Sequence, residues 1–216
     1  MRHEAPILAF DTSAAHCAAA LFRGDASLAQ RQEAMTTGQA ERLMPMLEEM
    51  LAGAGLGWRD LGAIGVGVGP GNFTGVRISV AAARGLALAL GVPAIGVTRL
   101  EALAEGLARP VAVIEDARRG EVYLQVFDGD GAAPRLATLE AAAAGLSGLP
   151  LTGSAADAAA ALSGGAVLAP AMPLAEAIAR IAARRAGAPQ PRPAPLYLRA
   201  ADAAPPADPP PRLLDA

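Results

Sequence analysis

Asp11-Thr12-Ser13 closes one apolar segment, Asp116 closes another, and between them runs the turn Gly69-Pro70-Gly71-Asn72-Phe73-Thr74-Gly75-Val76-Arg77. A carboxylate beside two hydroxyls at a strand end can orient a metal ion or a water molecule. A glycine-fed helix start presents backbone N–H groups to an anion. Asp11, Thr12, Ser13 and Gly71 are therefore the candidates for a nucleotide site, with the turn after Asp116 as its second wall. The opposing expectation is structural. Both aspartates also suit turns and caps, where a short carboxylate bonds the backbone next to it.

The other reactive side chains point to no catalysis. His3 and His16 form no His-x-x-x-His pair, so no metal site is assigned. Cys17 is the single cysteine, which rules out an intramolecular disulfide and a multi-cysteine metal site. Ser13, Ser79 and Ser154 lack an evident base, and no Gly-x-Ser-x-Gly elbow occurs. Arg118 and Arg119 could clamp an anion, although adjacent arginines at a hairpin tip are ordinarily solvated. No catalytic residue is assigned.

The elements that must position these residues follow from periodicity. Strands are expected at 7–10, 17–22 and 28–33, then a helix over 39–52 with Leu43, Met46 or Leu47, and Met50 on one face. Pro45 should kink that helix or delay its start. A buried strand at 63–68 leads through the glycine-rich turn into a helix over 76–90, capped by Thr74 or Asn72 and closed by Gly91 with Pro93 beyond. After a strand at 94–97, Thr98-x-x-Glu101 is a capping box opening a helix to about residue 107. The second half restarts at 111–116, turns at 117–120 and returns at 121–127. This is the order of residues 7–22, and implies an internal duplication. Beyond 127 the expected helices lie at about 139–146, 155–162 and 173–186, with short strands at 150–153 and 166–168. Residues 188–216 are dense in proline. Leu196-Tyr197-Leu198 should dock back, and 205–212 should be extended and poorly ordered. The expected organisation is a first subdomain over 1–107, a second over 108–200 and a proline-rich flexible tail over 201–216.

The 216 residues are 53% hydrophobic with a formal net charge of −3. The chain can bury one large core or two modest ones, but lacks the clustered positive surface that holds nucleic acid unaided. Mean hydropathy is +0.33, yet no uninterrupted apolar stretch approaches the ~18 residues of a membrane span. The start has no apolar signal region, so a cytoplasmic protein with no membrane partner is expected.

GPGNFTGVRISVAAARGLALALGVPAIGV, with the opening ILAFDTS, resembles the TsaB family, also called YeaZ. Arg42-Leu43-Met44-Pro45, the segment 116–123 and Pro195-Leu196-Tyr197-Leu198-Arg199 carry the same resemblance. The duplicated halves, each with an acidic residue closing its first strand, are similar to the actin-like ATPase fold (ASKHA, ribonuclease H-like): α/β, two subdomains with mixed β-sheets flanked by helices. ATP-binding members of that fold offer a glycine-rich second loop with a hydroxyl. Here Ala117-Arg118-Arg119-Gly120 would fill much of the phosphate space.

The resemblance implies a non-catalytic scaffold that binds and activates TsaD, with the ATPase TsaE, in threonylcarbamoyl transfer to adenosine 37 of tRNAs reading codons that begin with A. It implies that ATP and metal belong to the partner subunits, that this chain alone binds no cofactor, and that tRNA is reached only through the complex. It implies that the helices over 39–52 and 76–90 form the partner interface through Arg42, Leu43, Met46, Leu47, Met50, Arg77, Val80, Ala83 and Arg84, and that homodimers can use the same helices. On composition alone those helices could equally cover each other within one domain. Gln39 stands where the family often has histidine, which affects a local polar contact. The alternatives are an actin-fold kinase or ATPase, and a metallopeptidase-like protein of the glycoprotease superfamily.

Overall fold

The computed structural model describes residues 5–129 and 132–199. β1 (Ile7–Asp11) is apolar in all but its last residue and so needs cover on both faces. It gets that cover at the centre of a five-stranded sheet ordered β3-β2-β1-β4-β5, in which β2 (His16–Arg23), β3 (Ala26–Ala34), β4 (Ala63–Gly67) and β5 (Ala94–Val97) complete the set. β1, β2 and β3 form an antiparallel meander, whereas β4 and β5 run parallel to β1. β3 is polar and largely exposed, as an edge strand can be.

The second sheet repeats the plan, in the order β8-β7-β6-β9. β6 (Val111–Asp116), β7 (Glu121–Phe127) and β8 (Arg135–Thr138) form the meander, and β9 (Leu151–Thr152) lies parallel to β6. The duplication inferred from the order of strands and aspartates is thus present in the topology. β8 was not expected, because Leu136 is the only large apolar residue among its four.

α1 (Gln39–Gly53) and α2 (Phe73–Leu90) cover one face of the first sheet. Their inner residues join Leu8, Phe10, Leu21 and Ile64 in a single buried cluster. α1 starts at Gln39 and continues through Pro45, neither delayed nor ended by it. Pro45 and Glu41, whose carbonyl loses its partner, are both exposed, so water can take that bond. α2 begins at Phe73, three residues ahead of the expected 76, because Asn72 is the cap and its side chain accepts from the Gly75 N–H.

α3 (Arg99–Ala104) packs on α6 (Leu174–Arg185) and on β6 and β7 of the second sheet, and α6 covers the opposite face of the first. Ile178, Ala179 and Ala182 pack there against Ala9, Ala18, Ala20 and Ile95. α6 therefore corrects the expected division of the chain. The boundary at 107/108 separates the strands of the two sheets, but this C-terminal helix belongs to the first sheet, whose second apolar face has too little local cover. α4 (Leu139–Ala144) and α5 (Ala156–Ser163) pack on the second sheet. The strand expected at 166–168 is a single bridge between Leu151 and Val167. Leu196 docks as expected, its N–H donating to the Val68 carbonyl at 2.8 Å. The expectations for 201–216, including 205–212, fall outside the described residues.

Candidate functional site

The β1–β2 turn and the start of α2 are built into each other. Asp11 is fully buried, and its Oδ1 accepts from the Ser13 N–H and the Ser13 hydroxyl, each at 2.9 Å, and lies 2.8 Å from His16 Nε2. Burial alone would raise the Asp11 carboxyl, but the His16 hydrogen bond and the Arg99 charge hold it below the ordinary value of 3.8. The Thr12 hydroxyl donates to the Gly75 carbonyl at 2.6 Å, and the Asn72 N–H to the Ser13 carbonyl at 2.6 Å. A Cβ at Gly71 would fall 2.4 Å from the Ser13 oxygen, and one at Gly75 1.9 Å from the Thr12 oxygen. Only glycine permits this approach.

That packing turns the candidate nucleotide residues inward. Asp11, Thr12, Ser13 and Gly71 do come together, but as a backbone plug rather than an open cradle. Both hydroxyls are spent inside the chain, and the trio 11–13 is buried. Asp116 is exposed and accepts from the Arg118 N–H at 2.8 Å, a turn carboxylate's role. Arg118 and Arg119 take left-handed backbone, with φ of 63° and 57°, at the tip of the β6–β7 hairpin. Arg199 ties the base of that hairpin, donating to the Ala117 carbonyl and to Glu121 at 2.8 and 2.6 Å.

The partner residues expected on the two helices divide sharply. Leu43, Met46, Leu47, Met50, Val80 and Ala83 are all buried in the chain's own core. This corrects their placement on an interface. Their three-to-four spacing marks the stripe facing the sheet, as it does in any helix that covers one. Arg42 is also committed internally, forking onto Glu33 at 2.7 Å and Glu49 at 2.7 and 3.0 Å, with Arg31 on the other side of Glu49. The Arg42 hydrogen bond, followed by that from Arg31, draws the Glu49 carboxyl down to about 2. Gln39 donates to the Met35 carbonyl at 3.2 Å.

Arg77 and Arg84 remain on the outer face of α2. With Ala81, Gly85 and Leu88 they form a stripe turned away from Val76, Val80 and Ala83. Leu88 is 82% exposed. This stripe and the segment around Arg192 and Pro195 line a shallow groove of about 440 Å³. At its head Phe73 and Tyr197, each about half exposed, stack with centroids 5.2 Å apart. The Arg77 guanidinium lies 3.6 Å above the Phe73 ring, and its Nε donates to the Tyr197 hydroxyl at 2.9 Å. Counting α2 at 100° per residue separates its outer stripe from its inner one; treating the helix as apolar all round hides the difference. α2 also has the length and composition of a membrane span, 18 residues at mean hydropathy 1.4, but its inner face lies on β4.

Two sheets of one topology, each a meander with a parallel strand added beside its first strand, define the actin-like fold. The ethanolamine utilization protein EutJ from Carboxydothermus hydrogenoformans shares that fold, at 13% identity and a TM-score of 0.50 over 81% of this chain and 89% of that one. YeaZ from Pseudomonas aeruginosa is nearer, with a TM-score of 0.74 and 28% identity over 90% of this chain and all of that chain. Residues 33–179 match the family model described as "TsaD: tRNA N6-adenosine threonylcarbamoyltransferase", and the chain belongs to that family, in its TsaB (YeaZ) branch. The tRNA threonylcarbamoyladenosine biosynthesis protein TsaB of Escherichia coli K12 is 38% identical over 129 residues, which are 57% of this chain and 55% of that protein. The chain spans about half the length of the curated relatives it matches.

Proposed function

We propose that this chain is a non-catalytic subunit in the biosynthesis of threonylcarbamoyladenosine in tRNA, and that it binds and activates TsaD through the outer face of α2. The observation that carries the reading is the exposed stripe Arg77, Ala81, Arg84, Gly85, Leu88. Ala81 and Gly85 let a partner helix approach closely, Leu88 offers apolar area, and the arginines call for carboxylates on the partner. The plugged β1–β2 turn supports a scaffold over an actin-fold kinase or ATPase, since its hydroxyls already serve the chain. In this reading TsaD and TsaE supply metal, ATP and the transfer to adenosine 37, the assembly works in the cytoplasm, and the same stripe supports a homodimer when TsaD is absent.

Co-expression with TsaD followed by size-exclusion chromatography tests the proposal, with a stable complex expected. Two proteins eluting separately refute it. Micromolar Mg-ATP binding with turnover by the isolated chain would replace it with the kinase reading.

A further inference from the structure

The geometry points to Arg99 as a built-in cation that clasps the two halves, its guanidinium standing between the strand-end carboxylates Asp11 and Glu115 and completed by one buried water molecule. Arg99 is the first residue of α3, on the segment joining the two sheets. Its N–H donates to the Gly69 carbonyl at 2.8 Å, which fixes it to the first half. Its Nε pairs with Glu115 near the end of β6, and Glu115 Oε1 accepts from the Ser154 N–H at 2.7 Å beyond β9, which fixes it to the second. Both side chains are largely buried.

Asp11 comes to the same strand end from β1: its carboxylate abuts Gly67, two residues before the Gly69 carbonyl that holds Arg99. Its Oδ1 is fully engaged, but its buried Oδ2 has no hydrogen-bond partner among the described residues, and neither has the buried Arg99 Nη1. Such orphans are costly unless water or an ion satisfies them. β4 is shaped around the oxygen, because a Cβ on Gly67 would fall 1.9 Å from Asp11 Oδ2. One orphan is an acceptor and the other a donor, and their charges attract: Asp11 favours the charged form of Arg99, and Arg99 that of Asp11. A single water that accepts from Nη1 and donates to Oδ2 satisfies both. The chain of contacts then runs unbroken from His16 through Asp11, water, Arg99 and Glu115 to Ser154. The relative tilt of the halves is thereby set by an internal ion pair and needs no bound ligand, whatever docks on α2.

The competing account is that Arg99 only neutralises Glu115. A double-mutant cycle of Asp11→Asn and Arg99→Met, read by thermal melting, separates the two. The clasp predicts that Arg99→Met lowers Tm by about 6–15 °C, and that the double variant loses clearly less than the sum of the two single losses. Additive losses, or an Arg99→Met variant that melts with the wild type, overturn it. Should Arg99→Met not fold, the cycle is run with Arg99→Lys, which keeps the charge but loses the fork, and additivity again overturns the proposal. A high-resolution crystal structure of the wild-type chain is the second measurement: a water between Asp11 Oδ2 and Arg99 Nη1 is expected, and either atom bonded to a different group refutes the clasp.

Discussion

Replacing Leu88 and Leu47 separately with glutamate tests which side of each helix faces outward. Leu88 is 82% exposed in the lone chain, so covering it in a complex removes most of a leucine from water. Full burial of such a side chain contributes about 1.5–3 kcal/mol. Scaled to the exposed fraction, this is about 1.2–2.5 kcal/mol, or roughly 7- to 60-fold in Kd. Leu88→Glu also brings a charge to be desolvated, so the loss of TsaD affinity should reach at least the upper part of that range. Its effect on folding should stay within about 0.5 kcal/mol, as for other exposed sites. Leu47 is fully buried between α1 and the sheet, and Leu47→Glu should unfold the chain. Urea denaturation of each variant alone, and titration of the folded one against TsaD, give both numbers. A Leu88→Glu variant that binds TsaD like the wild type refutes the assignment of α2's outer face. A Leu47→Glu variant of native stability refutes the assignment of its core.

Three further outcomes follow from the turns and ion pairs. Gly75→Ala puts a methyl 1.9 Å from the Thr12 carbonyl oxygen, a backbone atom that cannot swing away, so the midpoint of urea denaturation should fall by an amount equivalent to about 3 kcal/mol or more. Thr98→Ala removes the capping box over Glu101 and should cost about 1 kcal/mol, visible in calorimetry as a Tm lower by about 2–4 °C. Glu49 titrates at about 2 against an ordinary 4.5 because Arg42, then Arg31, bonds its charged form. Its folded value is depressed, so its contribution to stability is complete above about 4.5 and is lost as the pH falls through about 2. Arg42→Gln should return the Glu49 carboxyl towards its ordinary value in an NMR titration, and an unmoved titration would show that the fork does not form.

The first half was legible because its signals are local. Asn72, Thr98 and Gly91 act where their side chains or φ reach only a few residues, and the 94–97 strand falls as expected. What failed was direction. Spacing alone sets Arg77 and Arg84 of α2 apart from Val80 and Ala83 and marks the inner stripe of α1, but the family resemblance put Leu43 and Val80 on an interface. The three alanine-rich helices after residue 138 fall within two residues of their expected bounds, whereas β8 carries too little apolar area to be seen. The Arg99–Glu115 pair belongs to no motif. It exists because the duplication brings two strand ends together, which sequence spacing does not encode.

The first sheet waits for its last cover. Ala9, Ala20 and Ile95 need Ile178 and Ala182 above them, so a nascent chain emerging from the ribosome keeps that face bare until α6 has been made. Its two halves therefore cannot mature one after the other, and a protease nick between 145 and 150 should leave fragments that hold together, each carrying part of the other's core.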